Sequence, residues 1–189
     1  MTVGVLALQG DFEAHAKACE RAGLGPVHEV RTVADLAAVD ALILPGGEST
    51  TIAKGLARTG LDVALRQRIA AGLPVLGTCA GAILLSKRVE NHRVPTLGVL
   101  DATAVRNAYG TQVDSFAAPL EAELATGLAG LHAVFIRAPK LTGLGDGVEV
   151  LARVDGEPVL VRQGRILAAT FHPELTDDVR VHRLLASVR

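Results

Sequence analysis

The chain has 189 residues, 49% hydrophobic and 21% charged, a composition that supplies the core of one α/β domain spanning residues 1–189. A formal net charge of −1 removes the electrostatic case for nucleic acid or an anionic membrane, and 3% aromatic content without Trp removes a stacking platform for bases or sugars. Two cysteines do not make a disulfide framework and point to a reducing, cytoplasmic setting; the apolar runs are too short for a bilayer, and "MTVGVLALQGD" reads as a first strand rather than a signal peptide.

The first half alternates strands and helices. "VGVLAL" (3–8) is a continuous apolar run, the signature of a strand covered on both faces. "DFEAHAKACERAG" (11–23) has acidic residues early, basic residues late and Gly23 at its end, which is the grammar of a helix. "HEVR" (28–31), a short helix over "VADLAA" and "DALILP" (40–45) repeat the scheme. "TTIAKGLARTG" and "LDVALRQRIAAG" are expected helices, "LPVLG" (73–77) the next buried strand and "AGAILLSKRV" (80–89) the helix after it. This order implies a parallel, doubly wound sheet flanked by helices.

The texture then changes. "TLGVLDATAVRN" (96–107), "TQVDSF" (111–116), "HAVFIRAP" (132–139), "VEVLARVDG" (148–156), "EPVLVRQG" (157–164) and "RILAATFHPE" (165–174) read as strands. "DG" at 155–156 and "QG" at 163–164 are hairpin-turn signals. "TDDVRVHRLLASV" (176–188) reads as a closing helix with Thr176 as its N-cap. The expected fold is therefore a three-layer α/β domain whose mostly parallel sheet has a mixed or antiparallel extension.

Ligands of open α/β sheets bind beyond the carboxyl ends of the strands. Three segments put glycine or polar residues there. In "LILPGGESTT", Gly46 and Gly47 permit positive φ and turn backbone N–H groups outward, with Glu48 and Ser49 following. In "VLGTCAG", Cys79 sits on a sharp turn into a helix whose N-terminus favours negative charge. In "AATFHPE", Pro173 stiffens the link between His172 and Glu174. Together they suit a Cys–His–Glu triad: Cys79 attacks, His172 accepts and returns the proton, and Glu174 fixes the imidazole tautomer. The N–H groups of Gly47 and Ala80 are the candidate oxyanion hole.

Each motif alone has a plainer reading. A cysteine after a buried strand is more often a small hydrophobe than a nucleophile, a histidine near a strand end is more often packed or solvated, and "PGG" is a common turn. Their joint occurrence at three strand ends favours catalysis. Cys19, on the first helix without a neighbouring His or glycine turn, reads as structural. His15, His28, His92, His132 and His182 show no metal-ligand spacing, so no metal is expected.

"GTCAG", "PGGEST" and "FHPE" resemble the signature segments of class I glutamine amidotransferases, the triad glutaminases of flavodoxin-like fold. "LALQGDFEAH", "LPGGESTTI", "GTCAGAILLS", "VRNAYGTQVDSF", "FIRAP" and "FHPEL" resemble one subgroup of that class, the glutaminase subunits of pyridoxal 5′-phosphate synthase, from Val3 to about Leu185. The resemblance implies hydrolysis of L-glutamine to L-glutamate and ammonia, which passes to a separate synthase subunit making the vitamin B6 cofactor. It implies a complex with twelve copies of each subunit. Pyridoxal 5′-phosphate is then the product of the complex, and no cofactor is expected on this chain.

The glutamine-binding positions implied are Gly46, Gly47, Glu48, Ser49, Arg106, Ile136 and Arg137. An arginine fork suits the α-carboxylate, although solvated surface charge is the plain alternative for Arg106 and Arg137. Gln9 and Gly10, in "LQGD", are the expected coupling point to the synthase. Thr111 departs from the subgroup, where a basic residue is expected after "RNAYG"; if that residue contacts the synthase, the local docking contact differs, while the triad is untouched. Two other readings remain: a cysteine hydrolase or peptidase on a similar fold, separated by assaying ammonia against peptide products, and a non-catalytic subunit with a vestigial triad, separated by labelling with a glutamine-mimicking diazo-ketone.

Overall fold

The continuous apolar runs become strands with both faces covered. The computed structural model describes residues 1–91, 93–106 and 115–188. Its first half runs β1 (Val3–Leu6), α1 (Phe12–Arg21), β2 (Val27–Val30), α2 (Val33–Ala37), β3 (Ala41–Leu44), α3 (Ser49–Thr59), α4 (Leu61–Ala70), β4 (Val75–Thr78) and α5 (Ala80–Leu85). Then follow β5 (Ser86–Glu90), β6 (Leu100–Val105), β7 (Ser115–Pro119), β8 (His132–Ile136), β9 (Lys140–Thr142), β10 (Glu149–Val154), β11 (Glu157–Gln163), β12 (Ile166–Ala169) and α6 (Arg180–Ser187).

A seven-stranded sheet has the order β10-β11-β12-β4-β3-β1-β2. β12, β4, β3, β1 and β2 are parallel neighbours, and the β10–β11 hairpin extends the sheet antiparallel at one edge. Side chains alternate between two cores, as the strand period of two requires. Leu42, Leu44 and Val75 face the core that packs Ile52, Leu56, Leu61 and Leu65 of α3 and α4. Ala41, Ile43 and Leu76 face the other, with Cys19 of α1 and Val181 and Leu185 of α6. This is the expected three-layer α/β architecture. No helix among the described residues is long and apolar enough to cross a membrane.

Not every later strand joins the main sheet. β5, β6 and β9 form a three-stranded sheet, and β7 and β8 pair antiparallel as a separate hairpin. Residues 107–114, which hold Thr111 and most of the strand expected over 111–116, lie outside the described residues, as does His92. Both hairpin signals hold. Asp155 and Gly156 have φ of 49° and 76°, the pair of positive values that a tight two-residue turn needs, and Gly164 opens the next turn at 57°.

Two helix boundaries differ from the sequence reading. The helix expected over 80–89 stops at Leu85. The Ser86 hydroxyl donates to the Ala82 carbonyl at 2.8 Å, and the Leu97 and Val99 N–H groups take the Leu84 and Leu85 carbonyls. Those carbonyls would otherwise continue the helix, so the chain leaves as β5. The last helix starts at Arg180, not beside Thr176. Thr176 accepts the Asp178 N–H, and the helix is capped by Val179, with no side-chain cap bond; Asp178, one residue earlier, accepts the first helical N–H, that of Arg180, at 3.1 Å.

Candidate active site

β12, β4, β3 and β1 are consecutive in the sheet, so the loops at their carboxyl ends converge. Cys79 follows β4 with φ 48° and ψ −103°, a positive φ without glycine. Such a conformation costs of order 1–3 kcal/mol and turns the side chain out of the strand end, as in the nucleophile elbows of hydrolases. The Cys79 N–H donates to the Ala169 carbonyl of β12 at 2.8 Å, which fixes the turn. The small neighbours have a steric cause: a Cβ on Gly81 would run into the Leu44 carbonyl of β3. The thiol faces the Ile136 carbonyl at 3.8 Å.

His172 is anchored on both sides. Phe171 is fully buried against Phe135, with ring centroids 5.7 Å apart, and the His172 N–H donates to the Val134 carbonyl at 2.8 Å. Pro173 opens a 3-10 turn that brings Glu174 back under the ring. His172 Nδ1 lies 2.6 Å from Glu174 Oε1. A carboxylate can only accept, so Nδ1 carries the proton and Nε2 is left for Cys79. Burial works against the charged imidazole. Hydrogen bonding to Cys79 and Glu174, reinforced by their charges, outweighs it and pushes His172 up to about 10. Gly46 lies so close to the ring that a Cβ there would meet it.

A cleft of about 350 Å³ opens in front of Cys79 and His172. Ala80, Gly47, Glu48 and Ser49 line it from the two strand–helix turns; Arg106, Ile136 and Arg137 line the facing side. Gln9 and Gly10 reach it from the end of β1. Glu174 stands behind its wall, fully buried at the side chain. The structure thus brings the residues singled out from sequence together at one place, except that Gly46 lies against the His172 ring rather than lining the cleft.

Their side chains divide the work. Glu48 caps α3, its carboxylate accepting the Thr50 and Thr51 N–H groups at 3.2 and 2.7 Å. Burial favours its neutral form, but these donors outweigh burial and hold the carboxyl below its ordinary range. Glu48 Oε1 also pairs with Arg106 Nη2 at 3.5 Å. Arg106 Nη1 and the Ser49 hydroxyl are buried without a hydrogen-bond partner among the described residues. Arg137, at the rim, has a strained φ of 43°. The glycine turn is gripped from the β1 loop at two successive peptides: Asp11 N–H donates to the Gly46 carbonyl at 3.2 Å, and Gln9 Oε1 accepts the Glu48 N–H at 2.8 Å.

Two histidines beneath the triad had no signal in the sequence pattern. His15 Nε2 lies 3.2 Å from Glu174 Oε2 and 3.0 Å from Thr78 Oγ1, and His15 Nδ1 lies 3.0 Å from His182 Nε2. They come from the first and last helices, and only the packing of α1 beside α6 joins them. Cys19 is fully buried, and burial, then Glu20, pushes its thiol up to about 12, an inert structural cysteine. Asp11, His172 and Glu174 place ligand atoms within 4.8 Å of one another. The short His172–Glu174 hydrogen bond occupies that space.

A strained cysteine between a buried strand and a helix, a histidine–carboxylate pair at the next strand end and a glycine turn alongside define a triad amidohydrolase on an α/β sheet. The match to a family model agrees: residues 5–188 fit the SNO glutamine amidotransferase family, and the chain belongs to that family. Among curated relatives, a pyridoxal 5′-phosphate synthase subunit PdxT from Thermus thermophilus is 56% identical over 183 residues, covering 96% of this chain and 94% of the relative. The protein of the same name from Frankia casuarinae is 56% identical over 192 residues, covering 99% and 94%. A crystal structure of a glutamine amidotransferase superposes with a TM-score of 0.92 at 52% identity, covering 98% of this chain and 97% of that one.

Proposed function

We propose that this chain is the glutaminase subunit of a pyridoxal 5′-phosphate synthase: it hydrolyses L-glutamine to L-glutamate and ammonia and hands the ammonia to a separate synthase subunit. The observation that carries the reading is a pair of buried donors that have no hydrogen-bond partner among the described residues, Arg106 Nη1 and the Ser49 hydroxyl, in the cleft that faces the triad. Buried donors without partners are costly unless a ligand satisfies them. The α-carboxylate of a free amino acid does so, while its side-chain amide reaches Cys79.

The Cys79 thiolate attacks the amide carbon, and the N–H groups of Ala80 and Gly47 take the charge on oxygen. The C–N bond breaks as His172 passes its Nε2 proton to the departing nitrogen, which leaves as ammonia. Water then attacks the thioester, His172 takes its proton, and collapse releases glutamate and the thiolate. Glu174 keeps the Nδ1 proton in place throughout. The chemistry needs no metal or cofactor on this chain. We place the protein in the cytoplasm, in keeping with its two free cysteines, as one domain of 1–189 in an assembly with twelve copies of each subunit. Ammonia release from glutamine, measured with and without the synthase, tests the reading; release of peptide fragments instead would overturn it.

Arg137 stands at the rim, where it reaches a carboxylate in ground and transition states alike. Arg137→Ala is therefore expected to raise KM for glutamine more than it lowers kcat. Steady-state kinetics over a glutamine series check this, and an unchanged KM returns Arg137 to the solvated surface.

Coupling to the synthase runs through the β1 loop. In a trans peptide the carbonyl and N–H point oppositely, so the Asp11 bond to the Gly46 carbonyl dictates where the Gly47 N–H points. Gly47, with φ 149°, permits the peptide to turn over. Docking on Gln9 and Gly10 resets this peptide and completes the oxyanion hole. One oxyanion donor is worth about 10²–10³ in kcat. The synthase is expected to raise ammonia release at least roughly tenfold, a share of that donor's worth. Gln9→Ala, which frees the Glu48 N–H, blunts the activation more than the basal rate. Full activity of the isolated wild type, or equal activation of both proteins, defeats this mechanism while leaving the triad standing.

A further inference from the structure

Glu174 holds His172 with one oxygen, and its other oxygen poses a separate problem. Oε2 is fully buried and makes no well-aligned hydrogen bond among the described residues. A buried carboxylate oxygen left without a donor is strongly unfavourable. The nearest ring nitrogen is His15 Nε2, at 3.2 Å. His15 is itself fully buried, and its other nitrogen, Nδ1, meets His182 Nε2 at 3.0 Å.

The proton positions follow from what each nitrogen faces. His182 Nδ1 is buried without a partner among the described residues. A bare lone pair there is cheaper than an orphaned N–H, so the His182 proton sits on Nε2 and is donated to His15 Nδ1. The His15 proton is then on Nε2, within hydrogen-bond distance of Thr78 Oγ1 at 3.0 Å, with Glu174 Oε2 the second acceptor in reach at 3.2 Å. His15 stays neutral: burial, then His182 and His172, hold it well below the ordinary histidine range. Burial, then Arg21, hold His182 down to about 4.

We infer that His15, with its tautomer fixed by His182, is a positioning residue for the catalytic triad: its Nε2–H holds Oε2 of Glu174 and so aims Oε1 at His172 Nδ1. The inference rests on the triad reading above. Glu174 then spans two imidazoles, His172 facing the cleft and His15 facing the core. His15 touches no substrate, so it acts on kcat through Glu174.

The test compares His15→Gln, whose amide reaches the Nε2 position and still donates, with His15→Leu, which removes the donor. Outer partners of carboxylate–histidine pairs at metal sites are worth about 10–100-fold. His15→Leu is expected to lose at least roughly tenfold in kcat with KM for glutamine nearly unchanged, on that same scale. His15→Gln keeps most of kcat. Equal losses in the two variants, or a loss carried by KM, overturn the inference. If the leucine variant does not fold, ring ¹⁵N NMR of the wild type decides. A neutral His15 protonated at Nε2 supports the assignment; a ring protonated at Nδ1, or at both nitrogens, overturns it. Absence of glutamine turnover in wild-type protein with its synthase would instead count against the glutaminase reading, and the NMR result still stands apart from that outcome.

Discussion

Cys79→Ala abolishes glutamine hydrolysis, with ammonia release falling on the order of 10⁶-fold, the scale on which a triad hydrolase loses kcat with its nucleophile. The fold survives, because the thiol contributes one long contact to the Ile136 carbonyl, and the bonds that hold the turn are made by the backbone. Cys19→Ala keeps most activity, since that thiol is buried away from the cleft and held protonated. A second effect follows from charge. The Cys79 side chain is one of the two partners that raise His172 to about 10. A raised histidine adds stability that is fully present below its unfolded value, about 6.5, and that is lost as pH rises through the folded value. In Cys79→Ala the remaining support is Glu174, so His172 titrates lower and this share of stability disappears at a lower pH. Histidine NMR titration reads the shift, and thermal unfolding across alkaline pH reads the stability. Near wild-type ammonia release by the Cys79 variant would remove it as nucleophile.

The parts of this molecule that sequence exposes are those where one residue type serves one local need. "VGVLAL", "DALILP" and "LPVLG" are apolar without interruption because both faces of β1, β3 and β4 are covered. Residues at their carboxyl ends could therefore be placed together through topology, and the cleft contains them. Boundaries were less legible where a tertiary bond competes with local preference. "AGAILLSKRV" has helical composition throughout, yet the N–H groups of Leu97 and Val99 take the α5 carbonyls and divert Ser86–Glu90 into β5. β9, from Lys140 to Thr142, is too short for a period to show. Which small sheet takes β6 depends on pairing with β5 and β9, contacts without a local pattern. His15 and His182 were the least visible. Each looks like an ordinary helical histidine, and 167 residues separate them. Their one local signal is burial on the apolar faces of α1 and α6, which fits a packed histidine equally well.

His172→Asn and Glu174→Ala are expected to differ by about two orders of magnitude in kcat, on the scale of triad hydrolases stripped of base or orienting carboxylate. His172→Asn is nearly dead, falling on the order of 10⁶-fold, because His172 is the group that protonates the leaving nitrogen and then deprotonates water. Glu174→Ala falls about 10⁴-fold, leaving measurable turnover. The structure gives two reasons for the milder loss. The His172 N–H keeps its bond to the Val134 carbonyl, so the ring remains at the cleft without its carboxylate. In addition, Asp11 Oδ2 already lies 3.7 Å from His172 Nδ1, close enough to take over part of the orienting role. The fallback is imperfect, since Asp11 is half exposed and its N–H is engaged with the Gly46 carbonyl. Asp11→Asn alone therefore has a small effect, and Asp11→Asn combined with Glu174→Ala falls below Glu174→Ala. Single-turnover labelling of Cys79 by the diazo-ketone, together with steady-state ammonia release, separates thiol activation from later steps across the four variants. If Glu174→Ala proves the more damaging of the two triad changes, His172 is not the working base; if the Asp11 change is silent in both backgrounds, the residual activity has another source.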